Sequence, residues 1–200
     1  MAEIKEPQKV LPIAGLIFIK GFEIDTVLKE LINNMGDVIL KSDTISFTHT
    51  NYYNKEMGDK LLREWCMFDR LVTPDTLIQL KHKTNEIENR YLNEKGGRKV
   101  NIDPGLLSLS NLILASTKNY SHRIYLGNGI YGEVTLIYKN HCFNSLEWTY
   151  PDYREKLALE FFRKARDILR EKLTETLSFS SPLRGEDLPP YQNIGGGGVR

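Results

Sequence analysis

The fold is decided near the start of the chain, in the stretch from Leu11 to Gly36 that reads LPIAGLIFIKGFEIDTVLKELINNMG. The run up to Ile19 is apolar and short, which is typical of a buried strand. Apolar residues then recur at helical spacing over Ile24–Met35, and Gly36 ends the pattern. We therefore predict a strand that leads directly into an amphipathic helix packed on a sheet.

Further strands and a second helix follow in the same order. Thr73-Pro74-Asp75 marks the helix start, because threonine suits the N-cap, proline the first helical position and an acid the first turn. We expect this helix to end at Gly96-Gly97. The predicted strands around it are Val38–Leu40, Thr44–Phe47, Glu64–Val72 and Lys99–Asp103, the last closed by a turn at Pro104-Gly105.

The second half of the chain adds a hairpin and a long helix. We predict a short apolar helix over Ser108–Ala115. Two strands, His122–Leu126 and Ile130–Lys139, form the hairpin, and Cys142–Leu146 extends it. The last helix covers about Tyr153–Leu173, where apolar residues again recur at helical spacing.

This order of elements contains two successive β-α-β units, a hairpin and a C-terminal helix. It predicts an α+β fold with a mainly antiparallel sheet, ferredoxin-like βαβ units and helices packed on the sheet. A doubly wound parallel α/β sheet is the alternative. We assign residues 1–173 to a single domain. Serine, proline and glycine accumulate after Thr174, so we predict that residues 174–200 form a flexible tail.

The composition excludes several classes of protein. Among 200 residues, 27 Lys+Arg oppose 26 Asp+Glu, so the chain lacks the basic excess that coats nucleic acid or an anionic membrane. No apolar run reaches the roughly 18 residues that a membrane span needs. Cys66 and Cys142 lie far apart and form no metal-binding pair. We expect a cytoplasmic protein with reduced thiols and no membrane partner, for which nucleic acid is an improbable ligand.

The hairpin register predicts a polar face. A three-residue loop, Gly127-Asn128-Gly129, pairs Leu126 with Ile130, Tyr125 with Tyr131, and Arg123 with Glu133. The other face then carries an apolar set, namely Ile124, Leu126, Ile130, Gly132, Val134 and Leu136. We prefer this register to a two-residue Asn128-Gly129 turn, because it separates polar from apolar side chains. The polar face is either the floor of a site or a solvated surface with one ion pair.

The segment Lys118–Arg123 is the best candidate for holding an anion. It gathers three potential cations and two hydroxyls within six residues, and an arginine binds phosphate or carboxylate bidentately. We assign anion binding to Lys118 and Arg123. An exposed basic loop is the alternative interpretation of the same residues.

The remaining candidate residues surround that loop. His122, Glu133 and Asp103 are the candidate acid, base or metal-binding groups, with Mg²⁺ as the cofactor that a strand-end carboxylate suits. Asp103 alternatively serves only the turn. The aromatic and amide residues that we expect to line the ligand are Tyr52, Tyr53, Tyr125, Tyr131 and Asn101.

Six longer segments carry a family resemblance: Ala14–Phe18, Asn51–Gly58, Val100–Gly105, Lys118–Leu126, Gly129–Leu136 and Trp148–Tyr153. In these motifs and their order, the chain resembles an uncharacterised prokaryotic family known as a domain of unknown function, DUF4416, over about residues 5–173. Some members of that family are labelled GTP-binding proteins. The sequence contains no GxxxxGK[ST] pattern, so a conventional phosphate loop is not expected.

The leading hypothesis for function is a domain that binds a small anionic ligand, a nucleotide or phosphorylated metabolite, and that acts on it by acid–base chemistry. A non-catalytic protein-interaction module is the alternative, in which the hairpin face docks a partner and the tail reaches it. RNA binding is a weaker alternative, because no RRM, KH or zinc-knuckle signature is present.

Overall fold

A computed structural model describes residues 3–180, and within that range it shows four α-helices and nine β-strands. The helices are α1 Ile24–Met35, α2 Asn54–Met57, α3 Leu77–Glu88 and α4 Lys156–Ser180. The first five strands are β1 Leu11–Ile19, β2 Val38–Lys41, β3 Ile45–Phe47, β4 Leu61–Phe68 and β5 Val100–Leu107. The other four are β6 Asn111–Ser116, β7 Ile124–Gly127, β8 Ile130–Lys139 and β9 Cys142–Ser145.

The strands form one antiparallel sheet with the order β2-β4-β1-β5-β6-β8-β7, while β3 pairs with β4 and β9 with β8. The first four positions have the ferredoxin-like arrangement. Strands β1 and β2 both pair with β4, and β4 and β5 both pair with β1, so each β-α-β unit spans a central strand. The predicted α+β class is therefore confirmed, and the doubly wound parallel sheet is wrong.

Helices cover both faces of the sheet. On one face, α1 and α3 bury Val27, Leu31 and Leu80 against Ala14 and Leu16 of β1. On the other face, α4 packs its apolar stripe over β1, β4 and β6, with contributions from Leu11, Ile13, Trp65, Phe162 and Ala165. Because side chains alternate along a strand, β1 serves both cores, which explains why its whole length is apolar.

Two elements differ from the sequence prediction. Strand β5 runs straight through Pro104-Gly105, where the sequence predicted a turn. Strand β6 replaces the helix predicted over Ser108–Ala115. That helix was wrong because a short apolar run fits a strand as well as a helix, and alternation here buries Leu112 and Leu114 on the α4 face.

Strands β5 and β6 separate after a short pairing. They pair only at Gly105, Leu106 and Leu107, although β5 continues to Val100 beside β1. The backbone groups of Ile102 face the open edge and bond to α3 instead. Ile102 N–H donates to Glu88 Oε1 at 2.6 Å, and Lys81 Nζ donates to its carbonyl at 3.3 Å. Pro104 shares that edge and has no N–H to satisfy, so proline is tolerated in this strand.

The hairpin combines a two-residue turn with a bulge. Asn128 and Gly129 both have positive φ, at 51° and 77°, as a type I′ turn requires. Gly127, not Leu126, therefore pairs with Ile130, so the predicted three-residue loop is wrong. A bulge at Leu126 restores the predicted pairing of Tyr125 with Tyr131.

The apolar hairpin face is only partly buried. Ile130 and Leu136 are both buried, but Ile130 packs in the core with α1 and α3 and Leu136 in the core with α4, so the predicted shared face is wrong at Leu136. The strand irregularity between Val134 and Leu136 reverses the alternation. Ile124 and Leu126 are exposed. They lie on β7, the last strand in the sheet order. Alternation alone could not reveal this, because it predicts which residues share a face but not whether the face is covered.

Several boundaries also shift. Helix α3 follows a 3₁₀ turn at Pro74–Thr76 and ends at Glu88, well before the predicted Gly96-Gly97. Helix α4 continues to Ser180, past the predicted end at Leu173. The part of the predicted tail from residue 181 onward lies outside the described residues. None of the helices in residues 3–180 is long and apolar enough to cross a membrane.

We predict that Gly105→Ala destabilises the fold by about 1 to 3 kcal/mol, because the new Cβ would lie 2.7 Å from the Ile113 carbonyl oxygen in the paired backbone. Gly132→Ala is the matched control, since its Cβ meets the end of the exposed Leu126 side chain at 3.0 Å, which can move. Urea unfolding measures both variants. Equal losses would contradict the tight β5–β6 contact.

Candidate functional site

A two-lobed cleft opens where β5 and β6 separate. The smaller lobe, of about 200 Å³, lies between Asn101 and Asp103 of β5 and the end of β6, and we call it the polar lobe. The larger lobe, of about 460 Å³, lies beside it, and we call it the aromatic lobe. The two lobes share five lining residues, namely Tyr52, Tyr53, Asp103, Lys118 and Tyr150.

Aromatic side chains form most of the larger lobe. They are Phe47, Tyr52, Tyr53, Tyr120, Trp148, Tyr150 and Tyr153, with His49 and His122 between them. The His122 ring stacks between Tyr120 and Trp148, with centroid separations of 5.9 and 5.3 Å. Faces and edges of this kind accept a planar ring by stacking. The lobe therefore offers a ring-binding surface.

A buried arginine lies in the wall of the aromatic lobe. The Arg63 guanidinium lies over the rings of Trp65 and Tyr153, 4.8 Å from the centroid of each. Its Nε lies 2.9 Å from Asp152 Oδ2, and its Nη1 lies 3.5 Å from Asp103 Oδ2. These two carboxylates compensate a charge that burial alone would make costly.

Glycine is required opposite this arginine. A Cβ on Gly15 would lie 2.8 Å from Arg63 Nη2 and would also collide with the Tyr153 hydroxyl. The strand pairing places Gly15 between Trp65 and Asp103. The absent side chain thus makes the space that the guanidinium and the phenol occupy.

Two tyrosines of the cleft stay protonated over a wide pH range. Burial, and then the nearby Asp103 charge, raises the pKa of Tyr53 well above its usual value. Burial, and then the charge of Glu133, raises the pKa of Tyr150 to about 12. Both phenols therefore remain neutral near pH 7 and can donate hydrogen bonds to a ligand.

The polar lobe contains the Glu133 carboxylate, and only one of its two oxygens has hydrogen-bond partners. Glu133 Oε2 accepts from Arg123 Nε at 2.6 Å and lies 3.3 Å from His122 Nε2. Glu133 Oε1 is buried and has no hydrogen-bond partner, and the side chain is only 1% exposed. A buried carboxylate oxygen without a partner is unusual in proteins and marks a place for a donor.

The role of Arg123 differs from the anion binding that the sequence predicted. Besides Glu133, its Nη1 donates to Ser116 Oγ and the Lys118 carbonyl, and its Nη2 donates to Tyr150 Oη at 2.7 Å. Four of its five N–H groups are therefore engaged within the protein. Its main effect is to fix Glu133 and Tyr150, rather than to clamp an anion bidentately.

A third, half-buried arginine holds the loop that carries Tyr52 and Tyr53. Arg98 donates from Nε and Nη2 to the two oxygens of Glu56 at 2.7 and 3.0 Å. Its Nη1 donates to Glu88 Oε2 and Asn101 Oδ1, both at 2.8 Å. Such bidentate, charge-assisted contacts tie the loop to α3 and β5.

Lys118 has a charge that no carboxylate offsets. Its Nζ donates to Tyr52 Oη at 2.7 Å and lies 4.4 Å from the centre of that ring. In the described part of the chain, each of the four carboxylates that line the cleft is in an ion pair with an arginine. The Lys118 ammonium, at the junction of the lobes, has no such pair. These four carboxylates are Glu88, Asp103, Glu133 and Asp152.

Eight of the ten predicted site residues line the cleft: Tyr52, Tyr53, Asn101, Asp103, Lys118, His122, Arg123 and Glu133. Tyr125 and Tyr131 do not line it. Their rings pack on each other at 5.2 Å on the hairpin, and Tyr125 is exposed.

Sequence reasoning missed Arg63, Arg98 and Asp152. The available signal for the first was a charged residue inside the apolar strand LLREWCMF. No three His, Cys, Asp or Glu side chains within the described residues are grouped so as to hold a metal ion.

The family model described as Domain of unknown function (DUF4416) matches residues 9–169. The chain belongs to this family, as its motifs indicated. The description of the family names no activity. No curated protein and no solved structure matches the chain.

We predict that Arg98→Met destabilises the protein by about 3 kcal/mol at pH 8, because it leaves the buried Glu88 carboxylate without its partner. Burial already raises the pKa of Glu88 above 4.5. The folded state then binds the proton more tightly than the unfolded state, so the loss grows as pH rises above this value and is smaller at pH 5.

Urea unfolding at pH 5 and pH 8 measures this loss. The double variant with Glu88→Gln should show a smaller difference between the two pH values, since it removes the carboxyl group. An equal loss at both pH values in the single variant would contradict the assignment.

Proposed function

We propose that this member of the DUF4416 family binds a small anionic ligand that carries a planar ring, the chemistry of a mononucleotide. The observation that carries the proposal is the Lys118 ammonium, which has no carboxylate partner and lies where the aromatic and polar lobes meet. An anionic group there would gain a charge-assisted hydrogen bond.

The size and lining of the aromatic lobe support a ring as the second feature of the ligand. Its volume of about 460 Å³ falls within the range of small-molecule sites. Aromatic walls with a few fixed polar groups are the usual lining of such sites. A phosphorylated metabolite without a ring would leave these walls unused, so we favour a nucleotide.

The site would hold its anion without a phosphate loop. The chain has no GxxxxGK[ST] segment, and the cation at the junction comes from the loop between β6 and β7. Asp103, His122 and Glu133, the groups put forward for acid–base chemistry, all line the cleft. We assign them to ligand contact and leave turnover as an outcome of the binding experiments.

A protein-interaction role is the second candidate, and the outer edge of the sheet favours it. Ile124, Tyr125 and Leu126 are consecutive and exposed on β7, and the first of them is 71% exposed. An apolar edge strand readily pairs with another strand.

The second candidate predicts that the protein self-associates through β7 and that Ile124→Lys prevents it, because a lysine would place charge at the new contact. Light scattering after size-exclusion chromatography measures the mass of both proteins. A monomeric wild type at about 100 μM would remove this form of interaction.

For the main proposal, we predict that Lys118→Met weakens the binding of a nucleoside 5′-monophosphate by about tenfold, because it removes one charge-assisted hydrogen bond. Lys139→Met is the matched control, an exposed lysine at the end of β8 outside both lobes. Isothermal titration calorimetry measures the affinities.

Two results would contradict the main proposal. One is the absence of any heat or melting shift with the four ribonucleoside 5′-monophosphates at about 1 mM. The other is equal weakening by Lys118→Met and Lys139→Met, which would show a non-specific charge effect.

A further inference from the structure

We infer that the ligand is a ribonucleotide and that Glu133 binds a hydroxyl group of its sugar in the polar lobe. This inference rests on the proposed function and makes it more specific. It names the class of nucleotide and assigns specificity to one oxygen atom, Glu133 Oε1.

The first support is the state of this oxygen. Glu133 lies on β8 opposite Leu114, which places it on the face of the sheet that lines the cleft. Oε1 is buried and has no partner, while Oε2 has two. An ionised carboxylate only accepts hydrogen bonds, so the missing partner must be a donor. A phosphate oxygen cannot fill that position.

The second support is the way in which the carboxylate is held. Arg123 Nε and His122 Nε2 both contact Oε2, at 2.6 and 3.3 Å. Arg123 is fixed in turn by Ser116 and Tyr150, and His122 by its stack on Trp148. The carboxylate is therefore held in place before a ligand arrives, and its remaining oxygen is kept for an external donor.

The third support is the separation of the two lobes. A hydrogen-bond donor on the ligand's ring would lie with that ring in the aromatic lobe, whereas Glu133 lines only the polar lobe. The donor thus belongs to the part of the ligand next to the ring, which in a nucleotide is the sugar. Asn101 and Asp103 line the same lobe, and amides and carboxylates are the groups that bind sugar hydroxyls. Lys118, exposed at the junction, remains for the phosphate.

The test compares matched ligands. Adenosine 5′-monophosphate, its 2′-deoxy form and its 3′-deoxy form are titrated into the wild type by calorimetry. We expect at least one deletion to weaken binding by about tenfold or more, because it leaves Oε1 unsatisfied. In Glu133→Gln the group at this position becomes an uncharged amide, whose hydrogen bond to a hydroxyl is weaker than that of the carboxylate, so the difference between the ligands should fall severalfold.

The control variant is Glu160→Gln, an exposed carboxylate on α4 outside both lobes, which should discriminate as the wild type does. Far-UV circular dichroism checks the fold of each variant. The comparison of ligands on the wild type stands even if Glu133→Gln fails to fold.

Each outcome of this test supports or overturns a specific claim. Equal affinity for all three ligands would overturn the sugar contact and leave the proposed function standing. Discrimination that is undiminished in Glu133→Gln would assign the contact to another residue. The absence of binding by any of the three and by the other ribonucleoside monophosphates would overturn both the inference and the proposed function.

Discussion

The cleft depends on one constraint, the early separation of β5 and β6. The part of β5 that precedes Gly105 does not pair with β6, so the backbone of Ile102 faces open space where a sheet would supply a partner. Burying it unpaired would be costly. Helix α3 resolves this with Glu88 and Lys81, which bond to the N–H and the carbonyl. This role explains the two charged residues on the buried face of α3, and the gap between the strands stays open as the polar lobe.

Three arginines then fix the walls around that gap. Arg63 joins β4 to Asp103 and Asp152, Arg98 joins the tyrosine loop to α3 and β5, and Arg123 joins the start of β7 to Glu133. Each one links segments that are distant in sequence or belong to different elements. Because loss of either partner leaves a buried charge uncompensated, these contacts favour one arrangement of the walls. A ligand would meet a site that is already ordered, which reduces the entropy lost on binding.

The sequence predicts the ferredoxin-like half of the fold well, because each β-α unit has local signals such as the apolar run of β1 and Gly36 after α1. It predicts β5 and β6 poorly. Proline and glycine within β5 have the composition of a turn, and they form part of a strand only because its outer edge is unpaired at Pro104. Within the site, the segment Lys118–Arg123 could be predicted as a candidate, because its polar groups are neighbours in the chain. The only sequence signal for Arg63 is a charge within an apolar strand, and its carboxylate partners lie 40 or more residues away.

A ligand of this protein should bind in the space between the separated strands β5 and β6. Amide chemical shifts recorded by NMR during titration with adenosine 5′-monophosphate test this site, since they report on the backbone of the whole chain at once. We expect the largest shifts at Tyr53, Asp103, Thr117 and Glu133, which line the cleft from four different segments. Shifts confined to α4 or to the edge of β7, with these four positions unchanged, would contradict it.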